Sequence, residues 1–221
     1  FHPMIKLIAK FPEKVNSITN TNVINTQISE FYPNYLFGNA ASNLEFLKIF
    51  ALGNNRVLKD VENNYNYMSI FHVTYSLGTS SFVNLPYIDQ NIIRYKFSKN
   101  ELKIIKEGLH KIINFIFECG AEYIYIQDRK ISKVNKLTNY QEVIENYKYN
   151  FSSVHLLGGL KFGNNKDAIL NSFGKFKDKN LDNLFVNDSS LLTEKLLKNP
   201  QGAIMSIASQ NIDQIINNFN D

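Results

Sequence analysis

A histidine followed closely by two glycines is the pattern with the clearest chemical potential in this sequence. His155 ends a short predicted strand and is followed by Gly158 and Gly159. Glycines after a strand permit a tight turn and a close approach of another molecule to the backbone. Because an imidazole exchanges protons near neutral pH, His155 is a candidate general base. From these residues alone, a hydrogen-bonded structural histidine is an equally good interpretation.

The remaining candidates for chemistry are weaker. His72 lies in the middle of a predicted strand, where a packed structural histidine is the favoured interpretation. His110 lies on a predicted helix, His2 lies near the first residue, and the single cysteine, Cys119, excludes an internal disulfide. The G-x-G-x-x-G, P-loop, C-x-x-C and H-E-x-x-H patterns do not occur, so the sequence predicts neither a phosphate-binding loop nor a zinc site.

Composition is that of an ordinary folded domain. The chain has 221 residues, of which 44% are hydrophobic and 20% are charged, enough for a sizeable core. The net charge of +4 is scattered along the chain, so we expect no nucleic-acid partner. No run of about 18 apolar residues occurs, so we expect no membrane span. The chain opens with Phe1 inside a predicted strand, which suggests a piece of a longer polypeptide; a cytoplasmic location is the default expectation.

The elements that must position His155 follow a long, strand-rich region. Alternating apolar residues predict strands, and three- and four-residue spacing predicts helices, of which 99–118 is the clearest. Ser98 and Glu101 form a capping box at its start, and Gly120 suits a left-handed C-terminal cap. We therefore expect an α+β fold with a largely antiparallel sheet backed by helices. The predicted strands are 4–9, 22–31, 67–76, 82–88, 91–97 and 121–127; the other helices are 43–51 and 138–147; the loops are 52–66 and 128–137.

The last third of the chain carries two short strands and a helix. We predict a strand within 151–163 that runs into the glycine turn, and another at 184–188. Asn199 is the predicted N-cap of a final helix, with Pro200 at its first position. The predicted apolar face of that helix contains Ile204, Ile207, Ala208, Ile212 and Ile215.

Three blocks in this region carry a resemblance to a known family. They read S-S-V-H-L-L-G-G-L-K-F-G, then L-D-N-L-F-V-N-D-S-S, then K-N-P-Q-G-A-I-M-S-I-A-S-Q-N-I-D-Q-I-I. In this order and spacing they resemble the C-terminal signature of the glucose–methanol–choline (GMC) flavoprotein oxidoreductases, nearest the cholesterol-oxidase-like and sugar-oxidising branches. The upstream F-H-P-M-I-K-L-I-A-K-F and the helix E-G-L-H-K-I-I-N-F-I-F-E-C-G-A fit the same order.

The resemblance implies an FAD-dependent enzyme that oxidises the CH–OH group of an alcohol, with sugars and polyols as candidates. His155 would take the hydroxyl proton, and Asn199 would hydrogen-bond the substrate oxygen. By its residue type alone, Asn199 is more simply a helix cap. The resemblance also implies cofactor contacts: Asp188 and Ser189 beside the ribityl–phosphate chain, and Pro200 and Gln201 at the pyrimidine edge of the flavin.

The resemblance further implies that two parts of the chain have different roles. Residues 1–150 would form the substrate-binding part, whose sheet would cover the flavin. His72 would be a candidate residue of the substrate pocket. Residues 151–221 would complete the FAD-binding domain, and the nucleotide-binding βαβ unit would lie upstream of Phe1. We therefore expect the chain alone to bind FAD poorly. The alternative is a non-catalytic binding module on a degenerate flavoprotein fold.

One departure from the family pattern bears on the substrate. The family's glycine turn usually continues as Thr-Cys-Arg-Met-Gly or Gly-Cys-Arg-Met-Gly. Here it reads Gly159-Leu160-Lys161-Phe162-Gly163, which keeps the positive charge and changes its neighbours. The sequence therefore leaves the substrate class and the acceptor of the flavin's electrons open.

Overall fold

The structure is a computed structural model that divides into two compact units, Pro3–Ser152 and Ser153–Asp221. The described residues are 3–15, 26–77, 79–84, 91–128, 130–137, 140–147, 150–153, 155–181, 183–192 and 197–219.

The first unit is a sheet covered by helices. Its strands are β1 (Met4–Lys10), β2 (Gln27–Ile28), β3 (Tyr35–Ala40), β4 (Met68–Tyr75), β5 (Thr79–Asn84), β6 (Asn91–Lys96), β7 (Tyr123–Ile126) and β8 (Ser132–Asn135). Its helices are α1 (Leu44–Ala51), α2 (Asn55–Asn64), α3 (Lys99–Glu118) and α4 (Tyr140–Glu145). The α+β class and the predicted strands at 4–9, 67–76, 91–97 and 121–127 are confirmed. Parts of the predicted strands 22–31 and 82–88 lie outside the described residues.

Six strands pair antiparallel in the order β2-β3-β4-β1-β7-β8, and β5 pairs with β6 in a separate hairpin. The long strand β1 lies at the centre, with Leu7 opposite Phe71 of β4 and Ile126 of β7. Because successive side chains of a strand point to opposite faces, the apolar stretch of β1 supplies both sides of the sheet. The sheet therefore needs a cover on each face.

Helix α3 covers one face. Its capping box is present, since Glu101 N–H donates to Ser98 Oγ at 3.2 Å while Ser98 N–H donates to Glu101 Oε2 at 2.7 Å. Gly120 follows its end with a φ of 94°, as predicted. Buried apolar residues of the helix pack on the same side as Ile5, Leu7 and Ala9 of β1: Ile105, Leu109, Ile112 and Ile116.

Helices α1 and α2 cover part of the opposite face, beside Ile8 of β1. Asn43 and Asn54 cap them through Phe46 N–H and Val57 N–H. The predicted loop at 52–66 is thus wrong for α2: its charged residues other than Asp60 are exposed, while Val57 and Val61, one helical turn apart, are buried. The predicted loop at 128–137 likewise contains β8, and β3 was not predicted.

A polar cluster joins α2 to the sheet. Asp60 Oδ2 accepts from the hydroxyls of Tyr123 and Tyr125, each at 2.7 Å. The ammonium of Lys133 lies 3.9 Å from the same oxygen and 3.5 Å from the centre of the Tyr123 ring. Burial acts to raise the pKa of Asp60, but the hydrogen bonds from Tyr125 and Tyr123 outweigh it and hold that pKa below its usual value. The carboxylate is therefore the ionised centre of this cluster.

The second unit is less regular. Its main element is α5 (Gln201–Phe219), preceded by short 3₁₀ helices at Lys179–Leu181 and Ser189–Leu191. Where strands were predicted at 151–163 and 184–188, the described residues make isolated bridges, such as Phe162 with Leu170 and Lys175 with Phe185. No described helix of either unit has the length and apolarity needed to cross a membrane.

Candidate functional site

His155 lies in irregular chain at the beginning of the second unit. Its side chain is half-buried, and the burial lowers the pKa of the imidazole because it disfavours the charged form. Ser153 Oγ donates to the His155 carbonyl at 3.3 Å. An imidazole that is neutral at neutral pH is able to accept a proton, as a general base must.

The predicted glycine turn is present after His155. Gly158 has a φ of 75° and Gly159 a φ of 112°, both in the region that favours glycine. A Cβ built on Gly159 would meet no atom within 4 Å. The backbone here is therefore open to close approach by another molecule.

The turn that begins at Asp188 is joined to this loop. Gly158 N–H donates to the Ser189 carbonyl at 3.0 Å, and Leu160 N–H donates to the Ser190 carbonyl at 3.3 Å. Asp188 Oδ1 accepts from Ser190 N–H at 2.8 Å, and bonds from Ser190 lower the pKa of the Asp188 carboxyl. Two blocks that are 30 residues apart in sequence are thus brought together.

The third block begins helix α5. Asn199 Oδ1 accepts from Gln201 N–H at 3.1 Å, and the Pro200 carbonyl accepts from Ile204 N–H at 2.9 Å. The Asn199 side chain therefore caps the first turn as predicted, but the helix begins at Gln201, so the prediction of Pro200 as its first helical residue is wrong by one position. Since only the carboxamide oxygen can accept from an N–H, this bond also fixes the amide orientation and leaves Nδ2 as a donor on an exposed side chain.

The sequence pattern missed a polar pair in this unit, one member of which is buried. Ile212, predicted on the apolar face of α5, is 48% exposed, whereas Asn211 is only 3% exposed. Asn211 Nδ2 donates to Asn187 Oδ1 at 3.1 Å. Asn211 lies three residues after Ala208 and four before Ile215, so a polar residue in the core-facing stripe was the available signal.

His72 lies in the other unit, on β4, and is 3% exposed. It stands in register with Gly38 of β3 and Lys6 of β1. A Cβ on Gly38 would lie 2.6 Å from His72 Nε2, so the imidazole occupies the space that the glycine leaves. These contacts describe a packed histidine; its part in a pocket stays a prediction.

The beginning of α5 suits an anionic or flat, hydrogen-bonding cofactor. Gln201 and Gly202 are exposed, and a Cβ on Gly202 would meet no atom within 4 Å. The N-terminus of a helix offers unpaired N–H groups and a positive dipole end. Pro200 has no N–H and the Gln201 N–H already donates to Asn199 Oδ1, so the pyrimidine edge of a flavin would bind here through other backbone donors, beginning at the exposed Gly202. Among the described residues, no three His, Cys, Asp or Glu side chains group closely enough to hold a metal ion.

Comparisons with known proteins bear on the family and the fold of the chain. The chain is 25% identical over 222 residues to the GMC-type oxidoreductase y4nJ of Sinorhizobium fredii, covering 94% of this chain and 42% of the relative. It is similar in fold to the crystal structure of pyridoxine 4-oxidase from Mesorbium loti, with a TM-score of 0.60, 13% identity, and coverage of 96% of this chain and 43% of that one. The chain thus spans about two fifths of each. The family model described as GMC oxidoreductase matches residues 85–208, more than half of the chain, and the chain belongs to the GMC oxidoreductase family.

Proposed function

We propose that the complete polypeptide is an FAD-dependent oxidoreductase that oxidises the CH–OH group of an alcohol, with sugars and polyols as candidate substrates. The observation that carries the proposal is the hydrogen-bonded junction between the loop after His155 and the Ser189–Ser190 backbone, in the unit that also presents Asn199. Family membership supports the same reaction class.

His155 is the proposed base. Its lowered pKa favours the neutral imidazole, which takes the hydroxyl proton of the alcohol. Asn199 is its proposed partner, with Nδ2 donating to the substrate oxygen while Oδ1 remains on Gln201 N–H. The bound FAD would supply the acceptor for the hydride that leaves the carbinol carbon.

Four residues are the proposed cofactor contacts. Asp188 and Ser189 would lie beside the ribityl–phosphate chain, and the backbone of Pro200 and Gln201 at the pyrimidine edge. Negative charge near the first turn of a helix is stabilised by about 0.3–2 kcal/mol. The beginning of α5 would therefore stabilise the negative charge of the reduced flavin.

Residues 1–150 are the proposed substrate-binding part, and residues 151–221 the proposed end of the FAD-binding domain. His72 is a proposed contributor to the substrate pocket. The substrate and the nucleotide-binding region would come together only in the complete polypeptide.

The test uses that complete polypeptide. We expect the purified protein to show a flavin absorption spectrum and to release FAD on denaturation. Without oxygen, at least one member of a panel of sugars, polyols and simple alcohols should bleach the absorption of its flavin. A colourless, FAD-free protein with an intact upstream nucleotide-binding motif would overturn the proposal.

A further inference from the structure

A pair of asparagines ties the Asp188 turn to the middle of α5. Asn211 Nδ2 donates to Asn187 Oδ1 at 3.1 Å, and Asn187 Nδ2 donates to the Ala208 carbonyl at 3.3 Å. Asn211 is 3% exposed, on a helix whose other polar side chains are mostly exposed. Asn187 immediately precedes Asp188, so its two bonds hold the start of the turn.

The same turn is bonded on its other side to the loop that follows His155, through the Ser189 and Ser190 carbonyls. A continuous set of hydrogen bonds therefore runs from α5 through Asn211 and Asn187 to the turn, and from the turn to that loop. It joins the helix that begins after Asn199 to the loop that begins at His155.

The chemistry of the pair requires both groups of a carboxamide at Asn187 and a donor at Asn211. The oxygen of Asn187 faces a donor on Asn211, and its nitrogen faces an acceptor at Ala208. A carboxylate in place of Asn211 would set acceptor against acceptor. The space is also confined, since a Cβ on Gly174 would lie 3.2 Å from Asn211 Nδ2 and 2.3 Å from the Val186 carbonyl oxygen.

We propose that Asn187 and Asn211 are positioning residues that fix the Asp188–Ser189 turn, and with it the loop after His155, relative to α5. This inference rests on the proposed function for its catalytic consequence. A small displacement of bound groups can cost up to about 100-fold in rate, so the pair would act on turnover without touching the substrate.

The test compares Asn211→Asp with Asn217→Asp in the complete polypeptide. Both variants add one charge to α5 without changing side-chain size, but Asn217 is exposed. We expect Asn211→Asp to lower kcat between about 10- and 100-fold with KM within about 3-fold, and Asn217→Asp to leave both unchanged. Hydrogen exchange measured by mass spectrometry should rise at 156–160 and 187–192 only in Asn211→Asp.

Asn187→Asp is the second variant, for the case that Asn211→Asp does not fold. It keeps the acceptor for Asn211 but sets a carboxylate oxygen against the Ala208 carbonyl, so we expect changes in the same direction. Equal kcat and equal exchange in the Asn211→Asp and Asn217→Asp proteins would overturn the inference. If the wild-type protein holds no flavin and oxidises no alcohol, the proposed function fails, and the exchange comparison alone decides whether the pair fixes the turn.

Discussion

The N–H of Gly158 donates to the carbonyl of Ser189 at 3.0 Å, which fixes the loop after the candidate base to the turn after Asp188. Gly158 adopts a positive φ there, so its bond direction depends on a backbone conformation that favours glycine. These backbone bonds, made after the imidazole, therefore help to fix the position of the histidine loop.

Replacing His155 by alanine should remove the proposed base. We expect kcat/KM of the complete enzyme to fall by about 100- to 10,000-fold, the usual contribution of general acid–base catalysis. His110→Ala is the matched control, because His110 lies on α3 in the other unit. Steady-state kinetics on both proteins decide; unchanged turnover in His155→Ala would remove this residue from the mechanism.

The pH dependence of the reaction should report the imidazole. Burial lowers the pKa of His155, so the neutral, base-competent form persists to lower pH than in a free histidine. We expect kcat/KM to be flat at neutral pH and to fall on the acid side with an apparent pKa below about 6.5. If the acid-side fall in kcat/KM were centred well above that pKa, another group would control the reaction.

Two substitutions separate the capping role of Asn199 from its proposed substrate contact. Asn199→Asp keeps an oxygen that accepts from Gln201 N–H and loses the Nδ2 donor, whereas Asn199→Ala loses both. We expect both to lower kcat/KM, but only Asn199→Ala to lower the free energy of unfolding, by about 1 kcal/mol. If Asn199→Asp retains full activity, the side chain is a helix cap and nothing more.

Removing the carboxylate of Asp60 should destabilise the protein by about 1–3 kcal/mol at pH 7, because two tyrosine hydroxyls lose their acceptor. Its pKa is lowered in the folded state, so its stabilisation is present above the unfolded pKa and is lost as pH falls through the folded value. In urea unfolding, the difference in the free energy of unfolding between wild type and Asp60→Ala should therefore narrow as the pH falls below about 4.

Glu62→Ala on the same helix is the control for this comparison. Glu62 pairs with Lys48 at 3.4 Å on the surface, and such pairs contribute about 0–1 kcal/mol. An effect of Asp60→Ala no larger than that of Glu62→Ala would contradict the central role of the Asp60 carboxylate.

Sequence patterns predicted the elements whose signals are local. The capping box at Ser98, the cap at Asn199 and the apolar stripe of α3 each lie within a few residues, and all are present. Helix α2 was missed because its buried face is narrow: Val57 and Val61 are its buried residues, among charged and amide side chains.

Features that depend on contacts between distant residues could not be read from the sequence. The Asn187–Asn211 bond joins residues that are 24 positions apart. No sequence pattern around either residue indicates which residue it bonds. The strands predicted near His155 and at 184–188 had suitable apolar residues, but single bridges formed instead of ladders. Pairing partners, rather than local propensity, determine whether such stretches become strands.

The close fit of Gly38 and His72, on neighbouring strands, means that the residue at one position limits which residues are acceptable at the other. The imidazole fills the space where any larger residue at position 38 would place its Cβ. If the glycine were substituted while His72 is present, overpacking would lower the stability of the protein. Loss of the histidine first would open that space and make a side chain at 38 acceptable. Relatives of this chain with a larger residue at the position of Gly38 should accordingly carry a smaller one at the position of His72.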